Sequence, residues 1–167
     1  LEKLVRRHPH VFGDATVDDP TEAVTKWDVL KRQELAGSDR SILDGVPRAM
    51  PALSYAQAVR GRAARMGFDW ESYSGVLDKI GEELRELREA QSAEERLHEL
   101  GDVLFTVVNT AAWLDVEAET ALRQANDRFY RRFTTMERLS RERGISFEEL
   151  ALDSKEELWQ EAKAIED

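Results

Sequence analysis

Twelve consecutive positions, Val103 to Leu114, separate Asp102 from Asp115 without a charge between them. On a helix, Val103, Leu104, Phe105, Val107, Val108 and Trp113 fall all round the circumference, and a helix apolar on every side belongs in an interior. The stretch is interrupted by Thr106, Asn109 and Thr110. It is also far short of the ~20 residues that cross a bilayer, so the interior it needs is that of a protein. Strand signals are almost absent, since no segment alternates cleanly and the β-branched residues fall within helical periods. The expected fold class is all-α, a helical bundle with a four-helix core and flanking helices.

The remaining helices follow from their caps and stripes. Asp19 followed by Pro20 opens one that carries Val24, Trp27 and Leu30 and fades near Gly37. Residues 37–48 read as a loop, and Pro51 sits in the first turn of a helix ending at Gly67. A third helix, opened at Ser74 or nearby and running over about 75–91, places Val76, Ile80, Leu84 and Leu87 on a core-facing stripe. Glu83 lies on the flank of that stripe, Glu86 farther round and Glu82 opposite. A fourth helix spans about 93–114. A fifth, about 118–143, carries Leu122, Ala125, Phe129, Phe133 and Met136 with Arg128, Arg131 and Arg132, and stops at Gly144. Ser154 and Glu157 read as a capping box opening a last short helix with Leu158, Trp159, Ala162 and Ile165.

Charge and composition narrow the chemistry. The 167 residues include 34 acidic against 24 basic, a net charge of -10 that repels a phosphate backbone and argues against nucleic acid as the main partner. With no cysteine and three histidines, disulfide scaffolds, thiol nucleophiles and thiolate zinc sites are excluded. Residues 1–7 are basic in part but lead into no apolar core or cleavage site, so a cytoplasmic protein without a membrane partner is expected.

Four acids form two i, i+3 pairs on consecutive helices, Glu83 with Glu86 and Glu99 with Asp102. A short connection makes those helices antiparallel neighbours, so the pairs converge. Converging carboxylates repel unless a cation lies between them, and oxygen-only ligation selects Mg²⁺, Mn²⁺ or Ca²⁺ over Zn²⁺. Lys79 stands at i, i+4 from Glu83, which suits an ordinary helix ion pair as well as a phosphate contact. Arg128, Arg131 and Arg132 put three cations within two turns of an acidic protein, the kind of cluster that meets an anion. His98 lies 100° round the helix from Glu99 with no orienting partner in view, which disfavours it as a general base.

Glu-Glu-Leu-Arg-Glu (82–86) followed by Glu-Leu-Gly-Asp (99–102) resembles the EExxE…ExxD signature of the all-α nucleoside triphosphate pyrophosphohydrolases. LDGVPRAMPAL (43–53), RAARMGFDW (62–70), QANDRFYRRF (124–133) and EELW (156–159) resemble the MazG branch, in the register of its C-terminal catalytic domain. The four-acid signature is shared with dimeric dUTPases and phosphoribosyl-ATP pyrophosphohydrolases; GFDW and the arginine helix point to MazG. The resemblance implies an Mg²⁺-dependent enzyme, Mn²⁺ being possible, that converts a nucleoside triphosphate and water to a monophosphate and pyrophosphate. It implies Glu83, Glu86, Glu99 and Asp102 as metal ligands and catalytic acids. It places substrate contacts on Lys79, Arg128, Arg131 and Arg132, with Asn126 in support and Trp159 at the base. Arg128 stands where lysine is usual, and Ala58 where lysine is common.

Glu-Lys-Leu-Val-Arg-Arg-His (2–8) echoes Asp-Arg-Phe-Tyr-Arg-Arg-Phe (127–133) in its order of acid, base, apolar residue and twin arginine. Tandem members of the family account for this, because residues 1–13 resemble the end of a first domain. The expected organisation is a helical segment over 1–36 and a catalytic domain over 37–167. Related one-domain enzymes pack two bundles together and Val103 to Trp113 offers more apolar surface than one bundle buries, so a homodimer or higher is expected. The rival function is a non-catalytic helical module for dimerisation or regulatory nucleotide binding.

Overall fold

The structure, a computed structural model, describes residues 41–166. The expected helix at Asp19-Pro20, the 1–13 segment and the 1–36 boundary lie outside the described residues. Within them the chain is all-helical: α1 (Ala52–Ala64), α2 (Tyr73–Glu89), α3 (Ala93–Trp113), α4 (Ala118–Glu142) and α5 (Leu152–Glu166). Two compact units can be distinguished, one of 41–49 with Ala58–Asp69, the other of Met50–Gln57 with 70–166.

In the first unit, Arg62 donates to the carbonyls of Ile42 and Asp44 at 3.0 and 2.6 Å, which pins the loop expected over this stretch. Its helix ends at Ala64, before Gly67, whose φ of +83° suits glycine in the turn that follows.

The second unit holds the two helix pairs that matter most. Ser72, two residues ahead of the expected opening, caps α2 by accepting from Gly75 N at 3.3 Å. Three residues then separate α2 from α3. Ser92 and Glu95 close a reciprocal capping box across that gap, with Ser92 Oγ accepting from Glu95 N at 3.1 Å. A connection this short makes α2 and α3 antiparallel neighbours. Gln57 stands in as a cap for α4: its amide accepts from Ala118 N at 3.0 Å and donates to Val116 O at 2.9 Å. Gly144, at φ +68°, ends α4 as its position suggests, and Ser140 Oγ donates to Ile145 O at 2.7 Å to close the turn. α5 folds back on α4 around Met136, Leu139, Leu158 and Ala162, with Phe133, Phe147, Leu150 and Trp159 packed against them.

Three expectations are corrected. The α2 stripe is turned toward Glu83: Val76 and Glu83 are buried, whereas Leu84 is half exposed. The acid is tolerated inside because Lys79 pairs with it. α3 is not buried all round, for Thr106, Val108 and Asn109 are enclosed while Leu100, Leu104, Phe105 and Val107 stay half exposed. Each packing neighbour covers one stripe of a helix, and α3 packs closely on α2 while meeting α4 over a short stretch. Ser154 does not cap α5, which starts at Leu152; Lys155 N already bonds Ala151 O at 3.1 Å, leaving Ser154 inside the first turn.

Candidate active site

Antiparallel pairing of α2 with α3 brings the acids of one helix opposite those of the other. Glu83, Glu86 and Glu99 each offer an oxygen within 4.8 Å of the others, the spacing of a carboxylate cluster able to hold a cation. The donor set is oxygen alone, which fits a hard divalent ion such as Mg²⁺ or Mn²⁺. Glu83 is 5% exposed and sits 3.0 Å from Lys79 Nζ. Lys79 also donates to Glu82 at 2.8 Å, so one ammonium serves two carboxylates. These contacts push Lys79 above its ordinary range and draw Glu82 below the usual carboxylate value. The ion-pair reading of Lys79 is thus realised, and the ammonium also lies at the edge of the acid cluster.

Glu86 has the opposite environment. Partial desolvation and then the charges of Glu83, Glu82 and Glu99 push its carboxyl up, against the pull of Lys79. A carboxyl whose folded-state pKa exceeds its unfolded value favours folding when protonated and opposes it once the pH has passed both values. Glu86→Gln, permanently neutral, is therefore expected to melt higher than wild type near pH 7 in chelator. The difference should close as the pH falls toward 4.5, the ordinary glutamate value. Thermal melts across this range check it, and a variant melting no higher than wild type at pH 7 would contradict the repulsion.

Asp102 belongs to a second group, with His98 and Glu99. His98 Nδ1 lies 3.2 Å from Asp102 Oδ2 and 3.5 Å from Glu99 Oε1. This corrects the expectation that His98 has no orienting partner: Asp102 stands at i, i+4 from it on one helix face, a spacing present in the sequence. Glu99 is common to both groups and joins all four acids into one patch.

The cations lie apart from this patch in sequence, on α4, with Arg131 and Arg132 against side chains of α5. Arg131 and Arg132 both pair with Glu166. The Arg132 guanidinium lies over the Trp159 ring, 5.7 Å from its centroid, and the Phe129 ring meets the same indole at 5.6 Å. Trp159 is half-buried against the α4–α5 core. Asn126 and Arg128 are exposed on α4. The shared pairing of Glu166 with Arg131 and Arg132 was not legible in the sequence, since no local spacing links residues 34 and 35 positions apart.

The chain is similar to known proteins over most of its length. The family profile of phosphoribosyl-ATP pyrophosphohydrolase matches residues 55–129, which contain all four acids. The chain is 42% identical over 162 residues to the nucleoside triphosphate pyrophosphohydrolase/pyrophosphatase MazG of Thermotoga maritima, covering 97% of this chain and 62% of that one. It is 41% identical over 168 residues to the nucleoside triphosphate pyrophosphohydrolase of Escherichia coli K12, covering 97% and 64%. An uncharacterised protein of Bacillus subtilis, YabN, is 41% identical over 169 residues, 99% of this chain and 35% of its own. The chain thus spans less than two thirds of the length of these curated relatives.

Proposed function

Given that the chain belongs to the MazG family, we propose that it hydrolyses nucleoside triphosphates between the α and β phosphates, releasing a monophosphate and pyrophosphate with Mg²⁺ as cofactor. The observation that carries the reading is the convergence of Glu83, Glu86 and Glu99, joined through Glu99 to Asp102, at one end of the α2–α3 pair. These four acids would hold the metal. Bound Mg²⁺ supplies neutralisation of phosphate charge and a more acidic water.

The chain's own groups provide the rest. Lys79, paired with Glu83, would meet an anionic oxygen of the substrate next to the acids. Its hold on Glu82 makes that carboxylate the poorer proton acceptor, so removal of the water's proton falls to an acid of the cluster. Arg128, Arg131 and Arg132 would take the charge that develops on the leaving pyrophosphate, and Trp159 with Asn126 the nucleoside.

The working form is a homodimer. Along α3, Leu97, Leu100, Leu104, Val107, Ala111 and Leu114 recur at alternating intervals of three and four, the spacing of a helix seam. Leu97, Leu100, Leu104, Val107 and Leu114 of that seam are half exposed or more, and α2 adds Leu77 and Leu84. A second copy would cover this face. The test of function is pyrophosphate release from a panel of nucleoside triphosphates, with Mg²⁺ and with chelator. Stoichiometric monophosphate and pyrophosphate, in Mg²⁺ alone, is the expected result. Binding without turnover would establish the non-catalytic module instead. Among the described residues no helix is long and apolar enough to cross a membrane.

A further inference from the structure

Arg131 and Arg132 are neighbours on α4, about 100° apart round the helix axis. Both nonetheless direct Nε at one carboxylate in the last turn of α5. Arg131 Nε lies 3.3 Å from Glu166 Oε1, and Arg132 Nε lies 3.0 Å from Glu166 Oε2. The second contact is a hydrogen bond, whereas Oε1 is buried with no hydrogen-bond donor of its own. The Glu166 side chain is 18% exposed. Arg132, held from one side by this carboxylate, is the same guanidinium that covers the Trp159 indole.

We propose that Glu166 is an internal competitor for the phosphates of the substrate, an affinity-setting residue that occupies the twin arginines until nucleotide displaces it. The proposal rests on the reading of Arg131 and Arg132 as phosphate contacts. Its physical basis is the similarity of the two ligands: a carboxylate and a phosphate present oxygen pairs of like charge to a guanidinium, so they exclude one another from the same arginines. Glu166 carries one negative charge and its Oε1 has no hydrogen-bond donor, so it makes a weak latch that a polyphosphate can open. Opening it also frees Arg132 from the position that Glu166 fixes over Trp159. The contact is broken on binding, before any bond of the substrate changes, so it weakens binding without acting on the chemical step.

The test uses the 167-residue chain in Mg²⁺ and inorganic pyrophosphate as the probe, with binding measured by calorimetry. Glu166→Gln should bind pyrophosphate about three- to tenfold more tightly than wild type, the scale of one or two partly exposed ion pairs. It should also lower KM for a nucleoside triphosphate in step, at unchanged kcat. Glu166→Asp, which withdraws the carboxylate by one methylene, should fall between the two and serves if the glutamine variant folds poorly. In an Arg131→Ala, Arg132→Ala background the gain should vanish.

If the arginine substitutions leave pyrophosphate and nucleotide binding unchanged, the phosphate reading of the arginines fails and the proposal goes with it. If the arginines matter but Glu166→Gln binds no more tightly, the proposal alone is overturned and Glu166 is a brace between helices. A gain that persists without the arginines overturns it as well, because it would reflect the removal of one negative charge from an acidic protein.

Discussion

Replacing Glu83 by glutamine should cost at least about a thousandfold in turnover while leaving the fold intact. The charge stabilisation that a divalent ion supplies in phosphoryl chemistry is worth several kcal/mol, and each ~1.4 kcal/mol is tenfold in rate. Glu83 is the buried member of the cluster, paired with Lys79 and grouped with Glu86 and with Glu99 of α3, so no solvent-exposed neighbour replaces it. In chelator the substitution removes two opposing contributions. The Lys79 ion pair is lost, and so is the repulsion that Glu83 exerts on Glu86. Melting in the absence of metal should therefore change little, whereas the rise in melting temperature that Mg²⁺ gives wild type should disappear. Circular dichroism, melts with and without Mg²⁺, and pyrophosphate release form the measurement. Asp102→Asn should behave alike, with the added loss of a partner for His98. Near wild-type hydrolysis by the Glu83 variant would remove the acids from the metal-binding role.

The second large effect concerns the face of α3 that the described residues leave half exposed. Leu104, at the middle of the heptad run, is 50% exposed. Wild type should sediment as a dimer of the 19.1 kDa chain at micromolar concentration. Leu104→Glu should raise the dimer dissociation constant by about two to three orders of magnitude, because an unpaired charge buried at an interface costs ~2–5 kcal/mol. Its helicity should persist, since the substituted position faces outward and glutamate is a good helix former. A wild-type chain that sediments as a monomer and retains full activity would refute the assembly.

How far the sequence could be read depended on whether a residue's environment is local. The α3 start at Ala93 and the α4 stop at Gly144 follow from positions within two turns of one another, and the facing of the acids on α2 and α3 needs only the three-residue connection between those helices. Leu84, expected on the core stripe, is half exposed and Glu83, expected on its flank, is buried, because apolarity alone ranks leucine inside. The partner that admits a carboxylate to the interior, Lys79, was visible only as an alternative. For α3, an apolar circumference does not state whether its cover comes from the same chain. Glu166 lay beyond reach, as its link to Arg132 depends on how α5 returns along α4.

The capping box at Ser92 also acts as a ruler. Because Ser92 marks the zero of α3 and Glu99 follows seven residues later, close to two full turns, the cap dictates which way Glu99 points. One residue inserted between them would swing Glu99 by about 100° and lift it by about 1.5 Å, silencing the cluster without touching an acid. Seven residues added to α2 after Glu86, matched by seven in α3 before Glu99, would lengthen both arms and restore the facing acids to within about 20°. The hairpin's reach can therefore change only by paired insertions close to a whole number of turns, such as seven or eleven residues in each arm.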